Sequence, residues 1–233
     1  MTRPAVLLAL LIAGPAEAAL PPPDLRDELL RRHWHQIDEA INASCQWASG
    51  TPDGNPPVAC DPNALAQVIR HARDVQRALH EDAAITVLIG LSYRYSGDLW
   101  TAERNFRRAT QLDLDRADAW LELGACLQAR GAYGEAERAF NEVVRLLPEG
   151  SLAWVGWARL AEVAAHQGRA DDLERFLMRA LAQGFSFRTV AGSALWQGFY
   201  RDPTLHDILD ELVLVYGEPT SLELLRGAEP TSP

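Results

Sequence analysis

The chain has no lysine. All 22 of its basic residues are arginine, set against 32 aspartates and glutamates for a net charge of −10. No basic run is present, and phosphate backbones are held by clustered basic side chains, so nucleic acid is excluded as a partner. The signatures of common catalytic sites are missing as well. There is no His-Glu-x-x-His, no Cys-x-x-Cys, no Gly-x-Ser-x-Gly and no glycine-rich phosphate loop. The six histidines are scattered, and His33 and His35, two apart on a helical segment, point in different directions and do not share a metal. The sequence therefore offers no catalytic residues, no metal ligands and no cofactor site, and an enzyme is not expected. No apolar run approaches the roughly 20 residues needed to span a bilayer.

What is present begins with an export signal. Arg3 supplies a short positive start, and Ala5 to Ala13 is unbroken apolar sequence. Gly14-Pro15 breaks any helix, and Ala16-Glu17-Ala18 has the small-x-small pattern of a signal-peptidase site. Residues 1–18 are expected to be removed, leaving a soluble periplasmic or secreted protein. No cysteine follows the run, so a lipid anchor is not expected.

Export also frames the three cysteines. Cys45 and Cys60 flank a segment rich in Pro, Gly and Asn that reads as a loop. A disulfide is chemically favoured in an oxidising compartment. Closing a loop of about 15 residues would contribute ~3 kcal/mol in the chain-entropy model. Cys126 lies inside a helical pattern where the neighbouring repeat has Ser92, the place of a small buried thiol.

The decisive feature is internal repetition. Between residues 83–116 and 117–150, Gly90 matches Gly124, Tyr93 matches Leu127, Gly97 matches Gly131, Ala102 matches Ala136 and Phe106 matches Phe140, every pair 34 residues apart. Trp120, Leu123 and Leu127 lie on one face of a first helix, and Gly124 on that face lets a partner helix approach closely. Gly131 ends the first helix, Ala136, Phe140 and Val143 form the inner face of a second, and Pro148 stops it. One such hairpin cannot bury its apolar face alone, so neighbours must stack. A third unit over 151–184 is less regular. Trp154 recurs 34 residues after Trp120, yet Gly168 arrives about three residues late.

Trp120-Leu121-Glu122-Leu123-Gly124, with Leu127, Gly131, Ala136, Phe140 and Pro148, resembles the tetratricopeptide repeat (TPR) signature at nearly every place. Residues 83–116 match it too, with Thr86 in place of the Trp and Leu114 in place of the Pro. The resemblance implies an all-α helical-hairpin solenoid. It also implies that the first helices of successive repeats line a concave groove. Carried over residue by residue, the groove positions are Val87, Leu91, Arg94 and Tyr95, then Leu121, Ala125 and Gln128, then Val155, Arg159 and Glu162. Arg94 and Arg159 would hold a carboxylate, and Tyr95 would give a flat contact.

Flanking segments complete the expected layout. Residues 19–82 read as an atypical N-terminal helical hairpin with a disulfide-closed loop. Its second helix opens at Asp61-Pro62, with the aspartate as cap and proline in the first turn. Residues 185–216 read as a helical cap and 217–233 as a frayed tail. The function implied is a non-catalytic scaffold or assembly factor that binds a protein or peptide of the cell envelope. The alternative is homo-oligomer formation through the open ends of the stack. A glycan or small-molecule binder using Tyr95 and the tryptophans ranks third.

Overall fold

The structure is a computed structural model that describes residues 23–46 and 59–227. The expected export signal at residues 1–18, most of the loop between Cys45 and Cys60, and the end of the expected tail lie outside these residues. Eleven α-helices and one two-residue ladder make up the described residues, in two compact units divided at residue 113.

The N-terminal unit holds α1 (Pro23–Ala43), α2 (Pro62–Leu79), α3 (Ala83–Tyr95) and α4 (Leu99–Leu112). Cys45–Gln46 (β1) and Ala59–Cys60 (β2) pair antiparallel with Cys45 opposite Cys60, and a disulfide joins the two cysteines. Arg26 Nε donates to the Leu79 carbonyl at 2.9 Å, tying the start of α1 to the end of α2. Ile37, Ile41, Leu65, Val75, Ile85 and Leu88 form one core, so α3 packs on the first hairpin as well as on α4. Three helices start on aspartate caps: Asp61 accepts from Asn63 N, Asp82 from Ile85 N and Asp98 from Thr101 N. Thr86, the residue in the signature Trp position, is 2% exposed. Its hydroxyl donates to the Asp82 carbonyl and accepts from Gln76 Nε2 at 2.7 Å, so a hydrogen bond to α2 takes the place of an indole.

The C-terminal unit holds α5 (Ala117–Ala129), α6 (Tyr133–Leu146), α7 (Ala153–His166), α8 (Ala170–Ala182), a 3-10 turn (Phe187–Thr189), α9 (Ala194–Arg201), α10 (His206–Tyr216) and α11 (Pro219–Arg226). The last helix corrects the expected tail. Leu225 is fully buried, and Gln197 Nε2 donates to the Leu224 carbonyl at 3.0 Å, fixing α11 against α9. Phe185, Phe187, Trp196 and Phe199 form a contiguous aromatic cluster beside α9, with centroids 5.4 to 6.5 Å apart.

The helical hairpins share one turn. Asp98 N donates to the Tyr93 carbonyl, Ala132 N to that of Leu127 and Arg169 N to that of Ala164, each at 2.9 Å. Gly97, Gly131 and Gly168 precede these donors at φ +87°, +75° and +64°, where a side chain would be strained. The third hairpin therefore follows the second at an offset of 37 residues. Trp157, not Trp154, is the equivalent of Trp120, and the shared 34-residue spacing of Trp154 is incidental.

The hairpin interior shows why glycine stands in the first helix. A Cβ placed on Gly90 would lie 2.6 Å from the Phe106 ring, and one on Gly124 would lie 2.5 Å from the Phe140 ring. At the offset of 37 the corresponding residues are Ala161 and Leu177, both fully buried. A methyl is gained where a ring is lost, and the volume is conserved.

Candidate functional site

The ten positions expected to line a groove meet different fates. In the N-terminal unit, Val87 is only 4% exposed, so it is a core residue and not a ligand contact. Leu91 and Tyr95 are half-buried against the core that α1 and α2 build. The reason is α1: this helix, which belongs to no repeat, packs on α3. Arg94 is half-buried at the end of the same helix.

In the C-terminal unit three of the positions, Gln128, Arg159 and Glu162, are brought together. Leu121, Ala125 and Gln128 on α5 and Val155 and Arg159 on α7 are all half-buried, while Glu162 is 5% exposed. Glu162 is the centre of the cluster. Its Oε2 accepts from Arg159 Nη1 at 2.8 Å and from Gln128 Nε2 at 3.4 Å, and its Oε1 accepts from Trp196 Nε1 at 3.1 Å. A buried carboxylate is costly unless its lone pairs are filled, and here both oxygens are. The Glu162 carboxylate holds the Arg159 guanidinium above its ordinary pKa, opposed by burial and aided by Glu122 on α5.

This geometry corrects the role given to Arg159. Its charge is met by Glu162 of its own helix, with Glu122 adding a second negative neighbour. Paired in this way, Arg159 does not recruit a free carboxylate. The offset of 37 refines the mapping as well. The equivalents of Leu121, Ala125 and Gln128 are Ala158, Glu162 and Ala165, and the two alanines are each 5% exposed. Val155 and Arg159 lie on the neighbouring strip of α7, which is the part left accessible.

Two participants escaped the sequence reading. Trp196 comes from the expected cap, and no local motif announces an indole that donates across 34 residues to a buried carboxylate. His166, at the end of α7, stacks on Tyr133 at 5.2 Å and meets the Phe199 edge at 5.0 Å. Burial lowers the pKa of its imidazole, and Glu162 pulls the other way. Among the described residues, no group of three or more His, Cys, Asp or Glu is placed to hold a metal ion.

No protein-family model matches the sequence, and no curated protein matches it. Solved structures match the fold. The structure of Pseudomonas aeruginosa pilF aligns with a TM-score of 0.54 at 14% identity, over 85% of this chain and 96% of that one. A putative kinesin light chain with nearly identical TPR-like repeats, from Podosopora anserina, gives 0.54 at 13% identity over 85% and 93%. A tetratricopeptide repeat protein from Parabacteroides merdae gives 0.51 at 15% identity over 87% and 84%. With hairpin, turn and glycine–phenylalanine packing repeated along the chain, the protein is an all-α helical-hairpin solenoid of the tetratricopeptide-repeat fold.

Proposed function

We propose that the protein is a non-catalytic interaction module that works beyond the inner membrane, as a scaffold or assembly factor of an envelope or secreted complex. Its partner-binding surface is the face of α5 and α7. The observation that carries this reading is the polar cluster of Gln128, Arg159, Glu162 and Trp196, on helices that also carry the half-buried apolar residues Leu121, Ala125 and Val155. Half-buried apolar surface held rigid by an internally satisfied polar cluster suits an extended peptide, because the protein loses little freedom on binding. The export signal and the Cys45–Cys60 disulfide support an oxidising location.

The test is a crosslinking pull-down from the native envelope fraction, with the mature protein beside a Leu121→Arg, Val155→Arg variant that stays helical by circular dichroism. A specific partner captured by the parent and lost by the variant supports the surface. Identical capture by both would move binding elsewhere on the molecule.

Self-association is the second reading, favoured by two exposed helix faces of opposite charge. A glycan platform built on tryptophan has less support. Among the described tryptophans only Trp100 is exposed, Trp196 is 1% exposed, and Trp34, Trp120, Trp154 and Trp157 are half-buried.

A further inference from the structure

The most exposed large apolar residue among those described is Trp100, at 66%, in the first turn of α4. The largest contiguous group is Leu214, Val215 and Tyr216 at the end of α10, exposed by 62%, 64% and 51%. Soluble chains scatter single apolar residues over their surfaces, so exposure alone marks no contact; exposed apolar residues beside complementary charge do.

The charges around the two groups are opposite. Helix α4 carries Arg104, Arg107 and Arg108 against Glu103 alone, whereas α10 carries Asp207, Asp210 and Glu211 and no arginine. The exposed strip of α4 runs Trp100, Arg104, Arg108 in steps of four residues. That of α10 runs Asp207, Glu211, Val215 in steps of four. Each step covers about 6 Å along a helix axis. Laid antiparallel, the strips match in register: Trp100 meets Val215, Arg104 meets Glu211 and Arg108 meets Asp207. Antiparallel helices also set their dipoles favourably.

We infer that the chain binds a second copy of itself, with α4 of one copy antiparallel on α10 of the other. The inference stands apart from the peptide-binding reading and uses none of its residues. Within the chain, Arg108 is already paired with Glu81, Arg107 with Glu103, and Asp210 with Tyr200 and Arg226. Arg104 and Glu211 are exposed and have no ion pair among the described residues, so they form the central cross-copy pair. The contact joins two different surfaces, so each copy keeps one of each free. Copies therefore add head to tail into open chains or a closed ring.

Sedimentation velocity of the mature chain over a range of concentrations tests this. At low salt the mean sedimentation coefficient should rise with concentration. Raising the salt to 1 M, which shortens the screening length from about 10 Å to about 3 Å, should weaken association. Two variants divide the contact: Trp100→Ser with Arg104→Ser, and Glu211→Ser with Val215→Ser. Each alone should lose association at least ~10-fold. Mixed, they should form a one-to-one pair and nothing larger, because each supplies the face that the other lacks. A chain carrying only Arg104→Glu and Glu211→Arg should regain association, which keeps the test sound if one of the paired variants folds poorly. A parent that stays monomeric at every concentration, variants that associate like the parent, or a mixture that stays monomeric would each overturn the inference. The Leu121→Arg, Val155→Arg variant should associate like the parent, which separates this result from the fate of the peptide-binding surface.

Discussion

Helices α2, α3 and α4 of the N-terminal unit open on aspartates whose carboxylates accept a backbone N–H. Helices α5 to α8 of the C-terminal unit open on Arg116, Ala132, Leu152 and Arg169, with no side-chain cap. An arginine at a helix start opposes the dipole, and each is countered nearby: Arg116 by Asp118 at 2.9 Å, and Arg169 by Asp172 and Glu137 at 2.5 and 2.8 Å. The N-terminal unit adds a disulfide, while the C-terminal unit has the buried Glu162 cluster. The units thus differ in how their helices start, while each also uses longer-range ties: Arg26 to Leu79 in the N-terminal unit, and Gln128 and Trp196 to Glu162 in the C-terminal one. Local devices survive the loss of a neighbouring element, and longer-range ones do not.

The largest break in this comparison should come from Glu162→Ala. It strips Arg159 of its partner and leaves Trp196 Nε1 unsatisfied, at a cost of about 3 to 4 kcal/mol. That is the lower part of the range for buried pairs, because the Arg159 side chain is 34% exposed. Hydrogen exchange should show protection lost in α7 and α9 and kept in α2. Cys45→Ala with Cys60→Ala should do the reverse, removing about 3 kcal/mol from the N-terminal unit. Thermal or denaturant unfolding with and without reductant measures it, and protection should fall in α1 and α2.

Gly124→Ala comes next, at about 2 kcal/mol, because the new methyl meets the Phe140 ring. Adding Phe140→Leu should recover at least ~1 kcal/mol of that loss, and a double-mutant cycle by urea denaturation reads the coupling. Simple additivity would show that the third hairpin does not conserve volume in this way. The smallest effect tests the caps at one equivalent position. Asp98→Ala should cost about 1 kcal/mol, and Ala132→Asp, 34 residues on, should gain up to ~1 kcal/mol. Equal and opposite shifts in melting temperature would show that the capping difference is local to the helix start.

Much of this was readable from the sequence, and the misses share a cause. The 34-residue period located α3 to α6 because Gly90, Phe106, Gly124 and Phe140 are dictated by contacts inside a hairpin. The third hairpin is displaced for two reasons. Its preceding loop, residues 147–152, has six residues where 113–116 has four, and α7 has 14 residues where α5 has 13. Trp154 then sat at the expected spacing and drew the register away from Trp157. Val87 looked like a groove position because the periodic pattern carries no trace of α1, which belongs to no repeat. The end of the chain was misread as frayed because α11 is only eight residues long, and its order comes from burying Leu225 and not from propensity. The pattern named Gln128, Arg159 and Glu162, which the fold brings together. It did not name the indole that completes the cluster, because tertiary packing alone brings Trp196 to Glu162.

The glycine–phenylalanine pairs also constrain how such a chain can drift. To pass from Gly124 and Phe140 to the Ala161 and Leu177 solution, two codons must change, and their order is not neutral. Alanine first forces a methyl into an occupied ring. Leucine first leaves an empty space beside a glycine, which later changes can fill. Viable lineages should therefore pass through the leucine intermediate, and duplicated hairpins should diverge by losing the ring before they lose the glycine.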